Sequence, residues 1–302
     1  MGREGRIKVK VTERHKSSEF YQIGFSAPDI VRGMTPGQFI NVYVPGGAML
    51  LPRPISISGY RGGTVFLTFA VIGGGTAVLA GLQDHSEIEI MGPLGTGFFD
   101  YPGALPLKAY EAKACDRPFD RVMLIGGGAG VPPLSFAARK LKAAYRATNL
   151  RIEAYLGFRG NGWGGGEFDR WCNTVKMASE TEGALWYKDI KAEYHGTVIG
   201  LLDEAYPEGE PVEKTIAIAC GPRPMLAAAA RWCAARGIPL RVSLEERMGC
   251  GYGACAGCIV KTLPLCDECR PQEGPSAPGV DGVIRKKVCV HGPVFWADEV
   301  IW

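Results

Sequence analysis

Cys250-x4-Cys255-x2-Cys258, with Cys289 further on, gathers thiols that suit one chemistry. Thiolates are soft ligands for iron-sulfur clusters, and C-x4-C-x2-C followed by a distant cysteine is the plant-type spacing of a [2Fe-2S] centre. Gly249, Gly251, Gly253 and Gly257 fit the same reading. A loop folded tightly around a cluster needs unusual backbone angles and close approach of amides to sulfur. Cys266-x2-Cys269 leaves three alternatives open: a source of the fourth ligand, half of a zinc site, or two loop thiols. A pair alone does not complete a tetrahedral site, which favours the last.

The second constellation is Gly126-Gly127-Gly128-Ala129-Gly130-Val131-Pro132-Pro133, between a strand pattern and a helix pattern. Glycines let the backbone approach a pyrophosphate, and the free amides at a helix start favour its negative charge. The spacing is not G-x-G-x-x-G, and Gly157-Phe158-Arg159 stands where a ribose-binding acid is expected. A glycine turn serving chain reversal alone is therefore the competing reading. The third is Arg53-Pro54-Ile55-Ser56-Ile57-Ser58, followed by Gly73-Gly74-Gly75-Thr76. An arginine can hold phosphate in bidentate fashion, and hydroxyls or strand amides can hydrogen-bond a planar heterocycle. His15, His85, His195 and His291 show no ligand spacing and read as surface or loop residues.

These groups must be positioned by a chain of 302 residues, 46% apolar and 22% charged, which is ordinary globular composition. A net charge of +3 gives no reason to expect nucleic acid or an anionic membrane as the main partner. No apolar run approaches the roughly 20 residues that span a bilayer, and the N-terminal residues lead straight into a strand pattern, so a cytoplasmic protein is expected. The ten cysteines crowd toward the C-terminus, which favours a metal centre over a disulfide scaffold.

Residues 1–104 read as an antiparallel β-barrel. Ile7, Val9 and Val11 alternate with lysines, and Phe39 to Val44, Thr64 to Ile72 and Glu87 to Met91 are β-rich stretches between Gly and Pro turns. After a connection through Tyr101 to Pro118, residues 117–241 read as alternating strands and helices around a parallel sheet. The strands are Val122 to Ile125, Ile152 to Phe158 and Thr215 to Ala219; the helices are Leu134 to Ala144 and Met225 to Arg236. Residues 242–302 are the third expected unit, a small cluster domain with an exposed loop over Pro271 to Gly282.

Taken in order, R-P-x-S, G-G-G-x-G-x-P-P and C-G-P (Cys220-Gly221-Pro222, then Met225) resemble the ferredoxin reductase superfamily. Within it the chain resembles the electron transfer subunits of type B dihydroorotate dehydrogenases. Met91-Gly92-Pro93-Leu94-Gly95, Ser243 to Met248 and Val288-Cys289-Val290-His291-Gly292-Pro293-Val294-Phe295 extend that resemblance over nearly the whole chain. It implies an FAD-binding barrel, an NAD-binding α/β domain and a [2Fe-2S] domain. By position, Arg53, Pro54, Ile55, Ser56, Thr68, Phe69, Ala70, Gly75 and Thr76 would meet FAD. Gly126, Gly127, Gly128, Gly130, Val131, Cys220, Gly221 and Pro222 would border the nicotinamide path. Cys250, Cys255, Cys258 and Cys289 would hold the cluster, Cys289 being preferred because it directly precedes the family's Gly-Pro-Val-Phe ending. The interval from Cys258 to Cys289 is longer than the resemblance leads one to expect, and Ala70 stands where relatives often carry a basic side chain.

The resemblance also implies an FMN-containing dihydroorotate dehydrogenase catalytic subunit as partner, two copies of each in a heterotetramer, and a place in pyrimidine biosynthesis. NAD rather than NADP follows from resemblance alone, since Arg159 is available to a 2′-phosphate. The alternatives are a reductase subunit for a hydrogenase, a sulfide dehydrogenase or a ferredoxin-coupled enzyme, and a nonredox zinc-binding interaction protein.

Overall fold

The computed structural model describes residues 5–46, 49–100, 119–187, 190–207, 212, 214–264 and 282–302. Cys115, Cys266, Cys269, the expected connection over 101–118 and the expected loop up to residue 281 lie outside them.

Strand alternation builds the first layer. In β1 (Ile7–Ser17), Val9 and Val11 are buried while Lys8 and Lys10 face solvent, the period of two that a half-buried strand requires. β2 (Phe20–Ser26), α1 (Pro28–Gly33), β3 (Phe39–Tyr43), β4 (Arg53–Arg61), β5 (Thr64–Ala70), α2 (Gly74–Ala80) and β6 (Glu87–Leu94) follow. The strands close into an antiparallel barrel in the order β1-β2-β5-β4-β3-β6, and closure removes free sheet edges. Ile40, Val42, Ile55, Ile57, Val65, Leu67, Ile88 and Ile90 fill its interior. The third expected strand ends at Ala70 rather than Ile72, because Val71 and Ile72 turn out to solvent before α2.

The second layer is α/β. Its elements are β7 (Arg121–Gly127), α3 (Val131–Ala144), β8 (Arg151–Phe158), α4 (Gly165–Phe168), β9 (Thr174–Ser179), the hairpin β10 (Leu185–Tyr187) and β11 (Ile190–Lys191), β12 (Tyr194–His195), α5 (Val198–Ala205), β13 (Thr215–Cys220), α6 (Arg223–Ala234) and β14 (Leu240–Ser243). β12-β9-β8-β7-β13-β14 pair in parallel. The chain winds outward from β7 through β8, then returns to its other side at β13, so the topological switch lies between β7 and β13. Both strands are buried almost throughout, as parallel strands covered by helices on two faces must be. α3 starts at Val131, earlier than the expected Leu134, with its prolines in the first turn where a missing N–H costs nothing.

The C-terminal segment belongs to neither layer alone. A loop leads to β15 (Ile259–Thr262), which pairs antiparallel with β16 (Ile284–Lys287); α7 (Val288–His291) and β17 (Val294–Trp296) close the chain. β17 adds antiparallel to β14, and the expected division at 241/242 falls inside β14. The barrel docks on both. α3 lies against β4, where the Ser135 hydroxyl donates to the Ser58 carbonyl at 3.3 Å and the Arg139 guanidinium donates to the Tyr60 carbonyl. The Thr96 N–H donates to the Gly292 carbonyl at 2.6 Å. Among the described residues no helix is long and apolar enough to cross a membrane.

Leu124 sits in the centre of β7, fully buried. Leu124→Ala should destabilise the protein by about 2–5 kcal/mol through lost transfer energy and a residual cavity, read as a lower urea midpoint. A midpoint equal to that of the unsubstituted protein contradicts this packing.

Candidate functional site

The cysteine loop follows β14 and precedes β15, and β16 with α7 returns Cys289 to it. The buried Cys258 and Cys289 sulfurs lie 3.3 Å apart. Cys250 and Cys255 are half-buried and face each other. The Cys255 N–H donates to Cys250 Sγ at 3.3 Å, and the Cys250 N–H donates to Cys255 Sγ at 3.5 Å. Amides aimed at sulfur are what a thiolate-held cluster requires. Among the described residues, no group of three or more His, Cys, Asp or Glu side chains converges as around a single metal ion. The thiols lie instead as two pairs, and an all-thiolate set of four fits a two-iron cluster. Burial acts to raise the Cys250 thiol, but the amides of Cys255, Tyr252 and Ala254 and the Cys255 thiol outweigh it and bring it down to about 7. Burial and the adjacent Cys258 push the Cys289 thiol up to about 12.

Along β4 and β5 the expected flavin residues divide by face. Ile55 and Phe69 point into the barrel interior, so they can offer a ligand only their main chain. Pro54, Ser56 and Ala70 alternate with them and are half-buried on the outer face, while Arg53, also half-buried, stands at the start of β4. The Arg53 guanidinium packs on the start of α2 so closely that a Cβ at Gly75 would lie 2.1 Å from Arg53 Nε. This puts a guanidinium beside the glycine turn. The Thr76 hydroxyl accepts from the Ile72 and Gly73 N–H groups at 3.0 and 3.2 Å, so it shapes the turn. Thr68 is likewise committed: it accepts from Gln22 Nε2 at 3.0 Å and donates to Ser58 Oγ at 2.9 Å.

The nicotinamide candidates meet at the switch point, where open α/β sheets bind ligands. Gly126 is in register with Cys220. A Cβ on Gly130 would lie 2.3 Å from the Cys220 carbonyl carbon, so only glycine lets the two turns touch. Val131 and Cys220 are buried and support the crevice, whereas Pro222 is exposed at its mouth. Burial and the Glu245 carboxylate push the Cys220 thiol well above its ordinary range. It is not poised as a nucleophile.

The cysteine loop is joined to β3, the neighbour of β4, by a residue that motif reading passed over. Asn41, in β3, has Pro54 of β4 as its cross-strand partner and donates from Nδ2 to the Cys250 carbonyl at 2.9 Å. A lone amide inside the apolar run Phe39-Ile40-Asn41-Val42-Tyr43 was its signal. Lys287 is another: its ammonium donates to the Gly253 carbonyl at 2.6 Å.

Comparison with known proteins agrees with this arrangement. Residues 245–301 match the iron-sulfur cluster binding domain of dihydroorotate dehydrogenase B. The chain is 31% identical to the dihydroorotate dehydrogenase B (NAD(+)) electron transfer subunit of Geobacillus kaustophilus, over 98% of this chain and 99% of that one. The chain belongs to this family of electron transfer subunits. The Enterococcus faecalis member is 30% identical over the full length of both. Among solved structures, an NADH-dependent reduced ferredoxin-NADP oxidoreductase aligns with a TM-score of 0.70 at 21% identity, over 97% of this chain and 90% of that one. The ferredoxin reductase of carbazole 1,9a-dioxygenase aligns at 0.58 and 18% identity, over 79% and 68%. At these identities the likeness is one of fold, the ferredoxin reductase fold that the family shares.

Two substitutions test the site. Cys255→Ser should abolish the cluster while FAD stays bound, measured as iron content against flavin absorbance; loss of flavin with normal iron contradicts it. Arg53→Ala should weaken FAD retention by about tenfold or more, since a charge-assisted contact worth roughly 1.5–3 kcal/mol is lost. Equal affinity in a flavin titration sinks that role.

Proposed function

We propose that this chain is the electron transfer subunit of a type B dihydroorotate dehydrogenase, passing electrons from a separate FMN-containing catalytic subunit to NAD+. The observation that carries this reading is similarity to such subunits over nearly the full length of both chains. The cysteine loop fastened to β3, which pairs with the proposed flavin strand β4, supports it. In this reading Cys250, Cys255, Cys258 and Cys289 hold a [2Fe-2S] cluster. Arg53 to Ser56, Thr68 to Ala70 and Gly75-Thr76 hold FAD. Gly126 to Val131 and Cys220-Gly221-Pro222 border NAD.

Bound in this way, a cluster supplies one-electron transfer and a flavin supplies exchange between one-electron and hydride steps. The chain's own residues bind and orient. Arg53 and the turn main chain before α2 meet phosphate, and the β7 and β13 turns leave a crevice in which a nicotinamide can lie. No side chain of this chain is needed as a strong general acid or base, so positioning is its main contribution. Dihydroorotate loses two electrons and two protons to become orotate. NAD+ takes up two electrons and one proton, and one proton is released. The assembly we infer is cytoplasmic, with two copies of each subunit.

An anaerobic optical titration of the protein copurified with its native partner tests this. NADH, and separately dihydroorotate added to the reoxidised sample, should each bleach the flavin and cluster bands. Bleaching by NADH alone would keep the electron-transfer core and reject dihydroorotate, pointing to the partner of another reductase complex. A colourless, zinc-containing protein would reject both.

A further inference from the structure

Asn41 is fully buried in a strand whose neighbours Ile40 and Val42 fill the barrel. Side chains alternate along a strand, so Asn41 faces away from the barrel interior, toward the C-terminal segment. Burying an amide is unfavourable unless its groups are paired. Here Oδ1 is buried and has no hydrogen-bond partner among the described residues. An apolar side chain of similar size would suit the barrel at least as well. What the amide does provide is the 2.9 Å hydrogen bond from Nδ2 to the carbonyl of Cys250, across 209 positions of sequence.

The partner side is built for the same contact. Gly251 is buried with a φ of +74°, and a Cβ there would lie 2.3 Å from Asn41 Nδ2. The loop reaches the amide only because this position is glycine. Asn41 is also the cross-strand partner of both Pro54 in β4 and Met91 in β6, so it is braced on either side within a closed barrel. On its other side the loop is held by Lys287 through the Gly253 carbonyl.

We propose that Asn41 is a positioning residue for electron transfer: it holds the first cysteine of the cluster loop at a set separation from the flavin-binding strand. This rests on the cofactor placement given under Proposed function. Electron transfer between two bound centres weakens steeply with their separation, so a clamp between their two supports acts on rate without touching either reacting atom.

The test compares the unsubstituted protein with Asn41→Leu and Gly251→Ala, each in complex with the partner subunit and handled anaerobically. Four quantities are read: FAD and iron content, thermal midpoint, the electron paramagnetic resonance spectrum of the NADH-reduced cluster, and the rate of cluster reduction by NADH per cluster present. Asn41→Leu should keep FAD, iron and thermal midpoint, shift the resonance line shape, and slow cluster reduction several-fold. A spectrum and per-cluster rate equal to those of the unsubstituted protein overturn the proposal. So does a slowing that merely follows loss of iron, the mark of a structural role. Should Asn41→Leu not fold, Gly251→Ala decides by the same readings. If the unsubstituted protein shows no [2Fe-2S] signal, or none that NADH reduces, the functional reading fails and not the clamp alone.

Discussion

A single main-chain contact, the Thr96 N–H on the Gly292 carbonyl, marks where the three segments of this protein become one body. Gly95, the residue after the last barrel strand, lies so close to Pro293 that a Cβ there would be 2.6 Å from its ring. The next residues, β17, then pair with β14 at the edge of the parallel sheet. The turn after the last cysteine is thus held by the barrel on one side and the nucleotide-binding sheet on the other. A loop hung on such a turn is tied at once to the barrel and to the edge of the parallel sheet. Electron transfer through fixed centres needs that rigidity.

The sites themselves are made largely of backbone. The crevice at the switch point exists because Gly130 lets one turn lie against the Cys220 main chain. The turn before α2 is shaped by the Thr76 hydroxyl, which is consumed in doing so. Thr68 and Ser58 lace β4 to β5 in the same manner. Binding cofactors through amides and turns leaves few titratable side chains at the reacting positions, which suits a protein that moves electrons.

The thiols of Cys250, Cys255, Cys258 and Cys289 occupy unequal surroundings. Cys250 lies at the half-exposed rim, where amides favour its thiolate. Cys258 and Cys289 are shut into the hydrophobic core that joins the barrel, the sheet and the C-terminal segment. One pair therefore faces outward and the other is insulated, an asymmetry that follows from the loop crossing the boundary between core and surface.

Much of this was legible in residue types and spacing. The cysteine spacing, the glycine-rich turn between strand and helix and the alternation of β1 are local signals, and each depends on geometry within a few residues. The strand limits differ where burial decided them, as at Val71 and Ile72. Three matters were not local. That Ile55 and Phe69 turn inward depends on which face of the barrel is filled. That β17 completes the parallel sheet depends on an edge left open by β14. That Asn41 reaches Cys250 depends on two segments far apart in sequence meeting across a domain boundary. Sequence by itself determined which residue types and spacings are suited to phosphate, nicotinamide and iron, because ligand chemistry is a property of side-chain type and short spacing. Only the tertiary structure decided how those sites are oriented and fastened to one another, because that rests on packing between segments that share no local pattern.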